Sequence, residues 1–236
     1  MFLILIYFIA MSLHIAALIL AGGASSRMGQ DKALLLWEGI PMLQRVIDAA
    51  NLCCEEIYLL TSRSKIYQSY LQNEALTIPP FFLAQRHVRA EARGDRSFLT
   101  GAGRDQPLYH WLPETMPPQG PLVALSQGLG KISADWVLVL ACDLPLLDGE
   151  ILNQWRSQLP NLPLDTLALV PHHNYWHPLC GFYRPQALPA LEKFLSQGGK
   201  SFQAWLPSLP AQKIPLGTAE IRMLWNCNYP TDFNFQ

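Results

Sequence analysis

Residues 15–36 read IAALILAGGASSRMGQDKALLL, a wholly apolar segment running into a glycine-rich polar loop. The first six, Ile15 to Leu20, have the length and composition of a strand buried on both faces, as in a parallel sheet. Gly22 and Gly23 end the run, and glycine there lets the backbone turn and approach a ligand closely. Ser25, Ser26, Arg27, Gly29 and Lys32 then bring hydroxyls, backbone N–H groups and two cations into one short loop. That composition suits a phosphate cradle.

Two common phosphate loops do not fit. A Walker A loop needs Lys followed directly by Ser or Thr, whereas Lys32 lies between Asp31 and Ala33. The dinucleotide fingerprint G-x-G-x-x-G is missing after the strand. Residues 20–36 instead resemble the signature loop of the nucleotidyltransferases, LAGG-x-S-x-RMG-x-DK-x-LL, and most closely that of the molybdenum cofactor guanylyltransferase family.

Outside this loop, composition narrows the class. Half of the 236 residues are apolar, enough for a large α/β core. The net charge of −1, from 17 basic and 18 acidic residues, offers no electrostatic footprint for nucleic acid or an anionic membrane and points to a small-molecule partner. Five cysteines without C-x-x-C spacing read as reduced cytosolic thiols, neither a disulfide framework nor a zinc site. The first ten residues, MFLILIYFIA, are apolar, but Ser12 and His14 interrupt the run, and no basic residue flanks its start. Residues 1–12 are therefore expected to be an apolar N-terminal extension ahead of the domain, of which residues 1–10 lie upstream of a natural start at Met11, with no membrane span.

Periodicity supplies the remaining elements. Residues 33–37 and a turn at Glu38-Gly39 lead to Pro41, after which Leu43, Val46, Ile47 and Ala50 recur at helical spacing. Strands are expected at 56–61, 107–112, 136–140, 166–170 and 179–183. Helices are expected at 64–71, from Pro121, behind Asp148, over 185–196 and in a last turn after Ser201. Residues 72–106 lose periodicity and carry Arg86, Arg89, Arg93, Arg96 and Arg104, which reads as an insertion or lid, by default a solvated surface loop. The expected organisation is one domain over 13–236 carrying that insertion.

The second chemical element is DWVLVLACDLP, residues 135–145. Its apolar run makes a central strand that delivers Asp143 to the carboxyl edge of the sheet, where a carboxylate beside a phosphate cradle suits Mg2+. The alternative for Asp143 is a helix N-cap, a task Asp148 fits better. His172, His173 and His177 invite a zinc reading, yet no Cys or Glu stands in register with them.

The family's features extend this reading. Gly120-Pro121-Leu122, CDLP, an HPL-like turn at His177 and N-x-N-x-P-x-[DE] at 226–232 all resemble it. The resemblance, which reaches from residue 13 to the C-terminus apart from the insertion, implies a three-layer, mostly parallel α/β sheet of the nucleotide-diphospho-sugar-transferase-like, Rossmann-like class. It also implies transfer of GMP from GTP to molybdenum-molybdopterin, giving molybdopterin guanine dinucleotide and pyrophosphate in the cytoplasm. Leu20, Ala21, Gly22, Gly23, Lys32, Glu114 and Asp143 would then bind nucleotide; Arg27, Lys32 and Asp143 would serve catalysis; Asp143 and Asn228 would hold Mg2+; and His177 would line the acceptor pocket. Asn226 offers a second amide oxygen, and transient contact with molybdenum insertion proteins or apo-molybdoenzymes is left open.

Two departures bear on base choice. Family members often carry Asn where this chain has Leu60-Thr61, and Asp before the GPL loop where Glu114, or less well Asp105, must serve. A cytidylyltransferase of the same fold would generally read LAAG at the loop, and a sugar-phosphate nucleotidyltransferase would normally show a further proline-rich extension of it. A nucleotide-binding regulator without turnover would have no use for Lys32, Asp143 and Asn228 together.

Overall fold

Strand β1, Ile15–Leu20, lies in the middle of the sheet, with Ala16, Ala17, Leu18 and Ile19 entirely buried. The computed structural model describes residues 13–22, 31–73, 109–115 and 117–227. The chain divides into two compact units, one of residues 1–62 and 109–236 and the other of residues 63–108. In the second unit the described part is Arg63 and helix α2, Ser64–Asn73. The apolar N-terminal ten residues and the arginine-rich stretch lie outside the described residues.

In the first unit β1 pairs in parallel with β4 (Glu56–Thr61) on one side and β6 (Trp136–Ala141) on the other. Strand β5 (Tyr109–Pro113) extends the sheet beyond β4, again in parallel. Past β6 come β8 (Cys180–Tyr183), antiparallel, then β7 (Ala168–His172) and the edge strand β9 (Ala211–Pro215). The order is β5-β4-β1-β6-β8-β7-β9. After β1 the chain builds outward through β4 and β5, then returns to lay β6 on the other side. The boundary between β1 and β6 is therefore the topological switch point, whose carboxyl edge forms the ligand crevice of open α/β sheets.

Helices cover both faces. Ala16 and Leu18 of β1 share a buried cluster with Val137 and Val139 of β6, Leu122, Leu125 and Leu129 of α3 (Pro121–Leu129), Leu191 of α5 (Leu188–Ser196), and Phe202 and Trp205 of α6 (Phe202–Trp205). Alternate strand residues point to the other face, where α1 (Met42–Ala50) packs on β1 and against α4 (Gly149–Arg156). Asp148 caps α4, its Oδ1 accepting from the Glu150 and Ile151 N–H groups at 2.8 and 3.4 Å. That cap leaves Asp143 to the strand end.

Two details differ from the sequence expectation. The seventh strand runs over 168–172 and not 166–170, because Thr166 closes a turn through its N–H to Pro163 O at 3.0 Å. Strand β9 and helix α7 (Thr218–Met223) were not anticipated. In β9 only Ile214 is buried while Gln212 and Lys213 are exposed, so this edge strand carries almost no apolar signal.

Candidate functional site

The carboxyl ends of β5, β4, β1 and β6 present Glu114, Thr61, Ala21-Gly22 and Cys142-Asp143 along one edge. Ala21 N–H still donates to Leu60 O at 3.0 Å, so strand pairing holds the backbone up to the first loop glycine. Beyond it a Cβ on Gly22 would fall inside the Glu114 carboxylate, which lies directly over the glycine. Only a residue without a side chain admits that approach. Gly22→Ala should therefore push the flexible Glu114 side chain aside, raising the KM for a ligand held at this edge about tenfold while the melting temperature stays within ~3 °C of wild type. Steady-state kinetics with a thermal melt check it.

Where the chain re-enters the described region, Asp31 accepts from Ala33 N–H at 3.1 Å and caps the short 3-10 turn Lys32–Leu34. This turn aims Lys32 across the switch point. Lys32 Nζ donates to Asp143 Oδ2 at 2.8 Å, with 16% and 17% of the two side chains exposed, so the pair is neither dry nor freely solvated. The other carboxylate oxygen, Oδ1, accepts from Asn226 Nδ2 at 3.3 Å. Asp143 O accepts from Cys227 N–H at 3.0 Å, which pins the backbone independently of the side chain.

A small apolar cluster backs these groups: Trp37, Met42 and Cys227, with Leu35, Leu146 and Trp225 against them. Trp37 and Trp225 have ring centroids 5.6 Å apart. Burial, followed by the adjacent Asp143 charge, pushes the Cys142 thiol up to about 12, away from the thiolate form.

On the other side of Asp143, Ala141 N–H donates to Leu179 O at 3.0 Å, so the chain enters β8 from His177-Pro178 at the edge where β6 delivers Asp143. Burial, then neighbouring His172 and His173, lowers the His177 pKa. Gln203 brackets the backbone of Trp176 in this loop, accepting from its N–H at 2.9 Å and donating to its carbonyl at 2.8 Å. Among the described residues no group of three or more His, Cys, Asp and Glu side chains is arranged to hold a metal ion. Beside the Asp143 carboxylate stands the Asn226 amide.

Of the sequence-expected residues, the structure brings Lys32 and Asp143 together and puts Glu114 over Gly22, with Leu20 and Ala21 ending β1. Gly23, Arg27, Asp105 and Asn228 lie outside the described residues. Asn226, named only as a second amide, is the direct partner of Asp143. The signal for it was the N-x-N spacing, which offers two amides without saying which one meets the carboxylate.

The chain matches the MobA-like NTP transferase domain over residues 17–211. It is 40% identical to a probable molybdenum cofactor guanylyltransferase from a Nostoc species, over 93% of this chain and 88% of that one. It is likewise 40% identical to a probable molybdenum cofactor guanylyltransferase from Synechococcus elongatus, over 94% of this chain and 97% of the relative. The fold is similar to the crystal structure of molybdopterin-guanine dinucleotide biosynthesis protein A from Archaeoglobus fulgidus, with TM-score 0.63 and 19% identity over 93% of this chain and 95% of that one.

Proposed function

The chain belongs to the molybdenum cofactor guanylyltransferase family, within the MobA-like NTP transferase domains, and from that premise we infer that it transfers GMP from GTP to molybdenum-molybdopterin, forming molybdopterin guanine dinucleotide and releasing pyrophosphate. The observation that carries the reading is the Lys32–Asp143 pair, 2.8 Å apart at the switch point and joined by sequence to the signature loop. A phosphate oxygen of the acceptor attacks the α-phosphorus of GTP as the bond to pyrophosphate breaks. No proton needs to move, so catalysis is positioning and charge stabilisation.

Lys32 and Arg27, with the N–H groups of the glycine loop, take the negative charge that spreads over the transferring phosphoryl group and the departing pyrophosphate. Asp143 fits a Mg2+ ion of the kind shared with a triphosphate, since such ions use one or two protein carboxylates, substrate phosphates and water. Asn226 or Asn228 would add an amide oxygen. When bound, the ion would neutralise phosphate charge and orient the triphosphate. In the free protein both carboxylate oxygens already accept hydrogen bonds, from Lys32 and Asn226, so an ion held by this carboxylate would compete with those two donors.

Glu114, lying over Gly22, is the proposed reader of the guanine N1–H and N2–H2 edge, a donor pair that a carboxylate accepts and cytosine lacks. His177 is the proposed lining of the acceptor pocket. Among the described residues no helix is long and apolar enough to cross a membrane. Cys53, Cys54, Cys142, Cys180 and Cys227 stand outside any disulfide, as a cytoplasmic enzyme's would, and transient contact with molybdenum insertion proteins or apo-molybdoenzymes is part of the proposal. Competition binding tests the base assignment: the wild type should prefer GTP over CTP, and Glu114→Gln should lose at least tenfold of that preference, on the order of one lost charge-assisted hydrogen bond. A wild type that prefers CTP contradicts the guanylyl assignment.

A further inference from the structure

Arg45 stands on α1 between the buried residues Leu43 and Val46, with only 19% of its side chain exposed. A guanidinium so placed needs partners for its donors, and the structure supplies three. Its Nε donates to Trp37 O at 3.0 Å, Nη1 to Pro145 O at 3.5 Å and Nη2 to Glu38 Oε2 at 2.6 Å. The carboxylate partner, with 60% of its side chain exposed, does not account for the burial, because an ion pair open to water contributes little. The two carbonyls belong to different segments. Trp37 ends β2 (Leu36–Trp37), five residues after Lys32, and Pro145 follows Asp143 by two.

The turn it grips carries backbone strain. β2 and β3 (Ile40–Pro41) form a short antiparallel hairpin through Glu38 and Gly39, both left-handed, with φ of 49° and 76°. For Gly39 this is free, but for Glu38 it is strained and persists only when surrounding bonds hold it. Arg45 supplies such bonds, to the Trp37 carbonyl before the turn and to the Glu38 side chain within it.

The geometry points to Arg45 as a positioning residue for guanylyl transfer, a brace whose planar fork fixes the Lys32 segment against the Asp143 loop. The assignment rests on the proposed function for its chemistry and on the hydrogen bonds to the two carbonyls for its structure. Lys32 and Asp143 have to part to admit the triphosphate, yet remain close enough to act on it together. The backbone on each side must therefore stay in place while the side chains move. The guanidinium, bonded to backbone and not to either catalytic side chain, permits that motion. Lysine cannot replace it, since one ammonium on a flexible stem does not span both carbonyls in a fixed plane.

Full-length wild type, Arg45→Met, Arg45→Lys and Glu38→Gln test the brace, using kcat, the GTP KM, Mn2+ uptake by the GTP complex followed by electron paramagnetic resonance, and thermal melting. Arg45→Met should lower kcat ten- to a hundredfold, the range for a misplacement of about 1 Å at a reacting centre. It should weaken Mn2+ uptake in the GTP complex about tenfold and lower the melting temperature by less than ~5 °C. Arg45→Lys should fall between wild type and Arg45→Met in both kcat and Mn2+ uptake. Glu38→Gln should match wild type in both, since it leaves the carbonyl bonds intact. Should Arg45→Met fail to fold, Arg45→Lys decides alone. Wild-type kcat and Mn2+ uptake in Arg45→Lys, or melting losses in the Arg45 variants with no change in either quantity, would overturn the brace. Absence of guanylyl transfer by the wild type itself would instead overturn the functional reading, leaving Mn2+ uptake to judge the brace.

Discussion

Asp143→Ala is expected to abolish most turnover, a loss of a hundred- to a thousandfold or more, while the protein stays folded. The magnitude follows other single groups that stabilise charge in a transition state, at roughly 2.7–4 kcal/mol each. The fold should survive because the side chain lies at the sheet edge, outside the core, and the backbone at this position is held separately by Cys227 N–H. Loss of the carboxylate removes the proposed Mg2+ ligand, so the Mg2+ concentration needed for residual activity should rise. Metal-free GTP binding should hold or strengthen, since Lys32 loses the partner 2.8 Å away that competes with phosphate for it. Titrating Mg2+ in a turnover assay, with circular dichroism alongside, checks these outcomes. Wild-type turnover with an unchanged Mg2+ dependence would remove the metal role, and outright unfolding would mark Asp143 as structural.

Lys32→Ala should fail in a different way. Lys32 is a point charge aimed at phosphate, so its removal should weaken GTP binding and slow chemistry together, by about 2–4 kcal/mol in transition-state stabilisation, or roughly 30- to 1,000-fold in kcat/KM. Excess Mg2+ should not restore activity. A second readout separates this variant from a general loss of the site. In the free wild-type protein the Lys32 ammonium neutralises and covers Asp143 Oδ2. Lys32→Ala exposes that oxygen, so Mn2+ should bind the nucleotide-free variant more tightly than the wild type. Equal or weaker Mn2+ binding in Lys32→Ala would contradict the view that lysine and metal compete for one carboxylate.

These two residues were legible in the sequence because each follows an apolar run long enough to be read as a central strand, Asp143 directly behind one and Lys32 through the glycine-rich loop behind the other. Ile15–Leu20 and Trp136–Ala141 emerged as β1 and β6, paired in parallel, and the expected chemistry followed each strand's carboxyl end. The Asp148 cap was equally readable, since it precedes a clean helical stripe. Arg45 was not, because its partners are main-chain carbonyls of residues 8 and 100 positions away, and a carbonyl leaves no mark in the sequence. Nor was the closeness of Glu114 to Gly22, which depends on how β5 and β1 flank β4. Strand β9 escaped because a half-exposed edge strand with Gln212 and Lys213 on it lacks the apolar alternation that marks a strand.

The most direct test of guanylyl transfer is pyrophosphate release by the full-length protein with Mg2+ and molybdate-loaded molybdopterin, run in parallel with GTP, CTP, ATP and UTP. The account predicts rapid release with GTP, dependent on both Mg2+ and the acceptor, with molybdopterin guanine dinucleotide formed in equal amount and at least tenfold slower release with the other three. Faster turnover with CTP than with GTP, or pyrophosphate release that does not depend on the acceptor, would contradict it.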